Sequence, residues 1–277
     1  SSELHVRGAA YYTDDIVEPR GTLHGAFGGS AHAHARIVSM NLDAVRSAPG
    51  VVCVLVAQDI PGVNDCGPVV ADDPILADGL VEHVGQPIFV VAATSVEAAR
   101  RASALAEVEY EPLDALIDVE DALKAESFVL PTERLVTGDP AGAIAAAPHQ
   151  ASGTLRIGGQ EQFYLEGQIA LVIPGNDGSM HVYSSTQFPM EIQANVARCL
   201  GRKYMHDVIV ECRRMGGAFG GKESQAAFVA CGAALLSART GQAVKIRLDR
   251  DDDMCMTGKR HDFLAHWQGG FDDDGRI

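Results

Sequence analysis

The chain has 277 residues, 47% of them hydrophobic, with 22 Lys and Arg against 37 Asp and Glu and a formal net charge of −15. That length suggests about two domains at ~150 residues each, and the apolar share is enough for a sizeable core. The charge excludes nucleic acid and an anionic membrane surface as partners, since both need an excess of Lys and Arg, and no run approaches the ~18 apolar residues of a membrane span.

The opening residues, SSELHVRGAAYYTDD, lack the charged-then-apolar layout of a signal peptide. Six cysteines, at 53, 66, 199, 212, 231 and 255, form no C-x-x-C pair and stand at no zinc-ligand spacing. They read as reduced, mostly buried thiols of a cytoplasmic protein.

Residues 1–122 read as mixed α/β. GTLHGAFGGS and GVVCVLVA are short strands, and QPIFVVAAT is a strand whose continuous apolar run suits burial on both faces. Thr94 with Glu97 has the form of a capping box, which starts a helix with Ala98, Ala102 and Leu105 on one face. AEVEYEPL follows as a strand. Residues 123–150 carry Pro131, a Gly-Asp-Pro turn at 138–140 and Pro148, and read as an interdomain connection.

Residues 151–277 begin with strand-like ASGTLRI, then two strands around Asn176-Asp177-Gly178. Pro189 starts a helix that Gly201 closes. DVIVECRRM is a strand, SQAAFVACGAALLSARTG a helix apolar nearly all round, and AVKIRLDR a strand. HWQGGFDDDGRI reads as a strand, an Asp-Gly turn and the start of a return strand. The natural polypeptide, or a partner fragment, is therefore expected to continue past Ile277. The class is α+β.

Three patterns are candidate ion sites. His32 and His34 in SAHAHARI would share one strand face, with His24 nearby, yet a packing role fits better than an incomplete ligand set. DRDDDM, residues 249–254, lacks the spaced oxygen ligands of a calcium loop and reads as a solvated turn, as does FDDDGRI.

RRMGGAFGGKES, residues 213–224, has the outline of a phosphate loop, but the hydroxyl such a loop needs after its lysine is replaced by Glu223. A phosphate cradle also has no use for the large ring of Phe219. Between a strand and a buried helix, the glycines instead let backbone approach some other ligand.

With GGQEQFYLE, residues 158–166, that loop resembles the molybdenum hydroxylase family, and within it the molybdopterin-binding part of xanthine dehydrogenases. VRGAAYYTDDI, SAHAHARI, APGVVCVLVAQDIPGVN and VGQPIFVV resemble its N-terminal α/β-hammerhead domain. SSTQFPMEIQANVARCLG and LDRDDDMCMTGKRHDFLA resemble the start of its molybdopterin-binding domain. The resemblance implies that Gln160 donates a hydrogen bond beside the molybdenum centre. It implies that Phe219 and Gly220 pack against that centre and that Glu223 hydrogen-bonds a purine. Aldehyde oxidases of the family usually carry an apolar residue at the position of Glu223.

The implied reaction is hydroxylation of an electron-poor C–H of a heterocycle, hypoxanthine to xanthine to urate, with oxygen from water. The family's general base, its substrate-binding arginine and its aromatic pair lie in a longer chain, so no catalytic residue is assigned here. On strand alternation from Gln160, Glu161 falls on the opposite face and Glu166 lies too far along to serve instead. FAD and 2Fe-2S centres are expected on partner subunits or domains, and the chain alone is expected to fold without being active. The other reading is a relative acting on an aldehyde, nicotinate or another N-heterocycle.

Overall fold

β-branched runs alternate with alanine-rich stretches, and the chain follows that alternation. In the computed structural model, which describes residues 2–277, the order is α1 (Ser2–Val6), β1 (Leu23–Gly29), β2 (Ala35–Asn41), α2 (Asp43–Ser47), β3 (Val51–Val56), β4 (Leu80–Val81), β5 (Pro87–Ala93), α3 (Val96–Ser103), β6 (Glu107–Pro112) and α4 (Val119–Lys124). It continues with α5 (Pro140–Ala146), β7 (His149–Ile157), β8 (Ile169–Pro174), β9 (Met180–Ser184), α6 (Pro189–Cys199), β10 (Val208–Glu211), α7 (Ala226–Thr240), β11 (Val244–Arg247), α8 (Arg250–Met256) and β12 (Phe263–Phe271). The expected α+β class is the one adopted.

In space the chain divides otherwise than along its sequence. Residues 2–114 and 162–258 form one compact unit, and residues 115–161 and 259–277 a second. Strand pairing is the reason. β1 takes β5 antiparallel on one side and β11 parallel on the other, so strands from both sides of residues 123–150 share one sheet. Its order is β10-β9-β8-β11-β1-β5-β3, and the first unit also holds a three-stranded sheet, β4-β2-β6. In the second unit β7 and β12 pair antiparallel, from Phe263 opposite Ile157 to Phe271 opposite His149.

β5 is buried throughout and feeds two cores, Val90 and Ala92 into one, Phe89, Val91 and Ala93 into the other. This explains its unbroken apolar run. α7 lies in the larger core with residues 226–237 all buried. Gly232 is obligatory there, because a Cβ would stand 2.6 Å from the Phe27 ring. α6 begins with Pro189, and Gly201 follows it at φ 64.

Several local expectations are corrected. The cap of α3 is Ser95, whose hydroxyl accepts from Ala98 N at 3.1 Å, and Leu105 lies beyond the helix, 46% exposed. β5 and β6, read as one strand–helix–strand unit, lie in different sheets. The Gly-Asp-Pro turn is the start of α5, with Asp139 accepting from Gly142 N at 3.0 Å and Pro140 in the first turn. His32 and His34 precede β2; His32 lies against Tyr110, and His34 Nδ1 is 2.6 Å from Asp114 O. DRDDDM is a capped helix, with Asp253 fully buried, because the acids fill its first turn.

Candidate functional site

The glycine loop follows β10 in the first unit. It carries left-handed φ at Gly217 (100°), Phe219 (55°) and Gly220 (89°). Gly221 N donates to Ala218 O at 2.8 Å, closing a turn whose two central residues, Phe219 and Gly220, both have positive φ. A phenylalanine there is strained and holds its place only where the surroundings dictate it. Its ring is 77% exposed, so core packing is not what places it.

What fixes the loop is a polar network beneath it. Glu166 N donates to Gly216 O at 3.1 Å, and Glu166 Oε2 accepts from Gly216 N at 2.9 Å. The same oxygen accepts from Ser185 Oγ at 2.5 Å and from Lys222 Nζ at 3.2 Å. Lys222 Nζ also donates to Ser185 Oγ at 2.7 Å and lies 4.7 Å from the centre of the Tyr164 ring. Burial pulls the Lys222 ammonium below its ordinary range, and Glu166 pulls the other way. The lysine that a phosphate loop would aim at its ligand is thus turned inward and neutralised.

A second layer supports Tyr164. Its hydroxyl donates to Asp253 Oδ1 at 2.6 Å and accepts from Gln168 Nε2 at 3.1 Å. Gln168 Nε2 also donates to Gly221 O at 2.8 Å, and Gln168 N donates to Asp253 Oδ2 at 2.7 Å. Burial, then the Asp253 carboxylate, pushes the Tyr164 phenol well above its ordinary range. Arg250 donates to Tyr164 O at 2.6 Å and lies over the Phe163 ring.

The structure brings Phe219, Gly220 and Glu223 together in the first unit. Glu223 is exposed, beside the buried Lys222. Gln160 lies in the second unit, its backbone held by reciprocal 3.0 Å hydrogen bonds with Arg260 and its side chain exposed. That single bridge is the only ladder contact near Gln160 among the described residues, so strand alternation does not govern residues 161–168. Glu161 pairs with Lys259 at 2.6 Å, and Glu166 is engaged in the network. Sequence reasoning missed Glu166, Gln168 and Asp253 as supports. The one available signal was Lys222, a charge in an apolar context that needed a partner.

A family described as "Molybdopterin cofactor-binding domain" matches residues 124–277, more than half the chain, and "Aldehyde oxidase and xanthine dehydrogenase, a/b hammerhead domain" matches residues 7–114. The chain belongs to the molybdopterin cofactor-binding domain family. Among curated proteins, the chain is 42% identical to xanthine dehydrogenase 1 of Arabidopsis thaliana, with 100% of this chain and 21% of that protein aligned. It is 38% identical to xanthine dehydrogenase/oxidase of Mus musculus, again with 100% and 21% aligned. The chain thus spans about a fifth of the length of these relatives.

Solved structures agree in fold. Quinoline 2-oxidoreductase from Pseudomonas putida 86 matches with a TM-score of 0.85 at 27% identity, over 99% of this chain and 37% of that one. Aldehyde oxidoreductase from Desulfovibrio gigas matches with a TM-score of 0.83 at 25% identity, over 98% and 32%.

The loop fits the family's molybdenum-pterin cofactor. Its tip offers backbone: no heavy atom lies within 4 Å of where a Cβ on Gly220 would stand. Beside Gly221, the buried Oε1 of Gln162 has no hydrogen-bond partner. Open backbone with polar atoms behind it suits a large polar group.

Proposed function

We propose that the chain supplies one wall of the molybdenum site in a cytoplasmic, purine-oxidising hydroxylase of the xanthine dehydrogenase type, converting hypoxanthine to xanthine and xanthine to urate. The molybdenum-pterin cofactor, when bound, supplies the two-electron oxidation and the activation of water. The chain's own residues position and select. Phe219 and Gly220 pack their open backbone against the cofactor. The general base lies in sequence outside this chain, and FAD and 2Fe-2S centres on partner subunits or domains remove the electrons.

The observation that carries the purine assignment is Glu223. Its carboxylate is exposed on a loop whose neighbouring lysine is buried and already paired, so it is free of that cation and able to accept a ring N–H. The test is a substrate panel on the complete, cofactor-loaded enzyme: hypoxanthine, xanthine, an aromatic aldehyde, nicotinate and quinoline. Purines are expected to give the highest kcat/KM. A higher value on the aldehyde or on a non-purine heterocycle overturns the assignment.

A further inference from the structure

We infer that the cavity between the N-terminal segment and the ends of β9 and β10 is a binding site for a small aromatic carboxylate, with the Arg214 guanidinium as its anion anchor. The site lies within the first unit, and it does not depend on the reading of the glycine loop as a cofactor neighbour.

The cavity has a volume of about 440 Å³, within the range of small-molecule sites. Tyr12 and Ile16 line it from the N-terminal segment, and Tyr183, Glu211, Arg213 and Arg214 from β9, β10 and the residues that follow. Its half-buried rings are braced by neighbours. Tyr183 stacks on His181 with ring centres 4.4 Å apart and planes 18° apart, and Tyr12 meets His5 edge-on at 6.1 Å. Rings fixed in this way present apolar faces at little entropic cost, and an aromatic body uses such faces best.

The charges set the sign of the ligand. Glu211 is already engaged: Arg213 Nε donates to one of its oxygens, and His181 Nε2 stands 3.5 Å from the other. On the N-terminal segment, Asp15 accepts from Tyr12 N at 2.9 Å, and Asp14 pairs with Lys245 and Arg247. Arg214 differs. Its side chain is half-buried, and among the described residues its guanidinium has a neutral partner only, Tyr11 O, 3.2 Å from Nη1. Nε is shut off from solvent and has no hydrogen-bond partner.

A guanidinium presents a planar fork of donors that a carboxylate satisfies with two parallel hydrogen bonds. An anion entering the cavity therefore meets a cation that the protein leaves uncompensated, while its ring lies against the tyrosines. A cationic ligand would find only Glu211, whose charge Arg213 already balances.

Binding is read by fluorine NMR on the complete enzyme, with para-fluorobenzoate as the probe and para-fluorobenzamide as its neutral counterpart. The acid is expected to bind saturably and about tenfold or more tightly than the amide, because only the carboxylate pairs with Arg214. Arg214→Met is expected to weaken the acid about tenfold or more and to leave the amide within about twofold. Tyr183→Leu, which keeps the hydrogen bond of Arg214, is expected to weaken both probes about three- to tenfold. If Arg214→Met does not fold, the two probes on wild type and on Tyr183→Leu carry the test. Absence of saturable binding overturns the inference, and so does equal affinity for acid and amide. Affinity for the acid that neither Arg214→Met nor Tyr183→Leu alters would place the probe elsewhere in the enzyme and overturn it as well.

Discussion

Lys222, with no exposed side-chain surface, sets its ammonium 3.2 Å from Oε2 of Glu166, an oxygen that also holds Gly216 N at 2.9 Å. Two sequence motifs 50 residues apart are thereby locked by one carboxylate. A buried charge stripped of its partner is more costly than no charge at all. Glu166→Gln or Lys222→Met alone is expected to lower stability by about 3–5 kcal/mol, and the double variant to recover more than half of that. Urea denaturation of the four proteins measures the coupling, and additive losses would deny it.

Tyr164 gives a pH signature. Its phenol is held above its ordinary pKa by burial and then by Asp253, so the folded state keeps a proton that the unfolded state gives up near pH ~10. The stabilisation is fully present below that pH and is lost as pH rises beyond it. Tyr164→Phe is expected to cost about 1–3 kcal/mol at pH 8, because Asp253 Oδ1 loses its 2.6 Å donor. The difference from wild type should shrink at pH 11. A gap that is constant across both pH values would contradict the assignment.

The loop glycines should separate structure from binding. A Cβ on Gly217 would stand 3.1 Å from Tyr164 Cβ at φ 100, whereas one on Gly220, at φ 89, meets nothing. Gly217→Ala is expected to lower the unfolding midpoint more than Gly220→Ala, which bears only backbone strain of about 1–2 kcal/mol. In the complete enzyme Gly220→Ala should instead reduce molybdenum content, read by elemental analysis.

Glu191, in the first turn of α6, has its carboxyl pushed above the ordinary range, by burial first and by Glu223 second. Glu223→Gln should lower the Glu191 pKa without restoring an ordinary value, since burial remains. Carboxyl carbon shifts followed through an acid titration report it. An unmoved Glu191 would show that the two acids do not sense each other.

Much of this was legible in the sequence, and for identifiable reasons. β5 and α7 are apolar over lengths that only burial explains, and Pro189 and Gly201 mark the ends of α6 by backbone conformation alone. The loop stood out because Phe219 and Glu223 do not suit a phosphate cradle. What stayed hidden depends on long-range pairing. Nothing local announces that β1 takes a partner strand more than 200 residues away, as the Leu23–Val244 register shows. Glu166, Gln168 and Asp253 likewise gain their roles only when the segments meet. Strand alternation misled at residues 161–168, where one bridge at Gln160 is followed by irregular chain tied down by side chains.

The most direct test of the account is the ratio of kcat/KM for xanthine to kcat/KM for an aromatic aldehyde, measured in the complete, loaded enzyme before and after Glu223→Ala. Removing a carboxylate that accepts a ring N–H should cost the purine about 2–4 kcal/mol of transition-state binding, roughly 30- to 1,000-fold, while the aldehyde is little affected. The ratio should therefore fall by at least tenfold. A ratio that stays constant, with xanthine still turned over at wild-type efficiency, would contradict the purine assignment and the role given to Glu223.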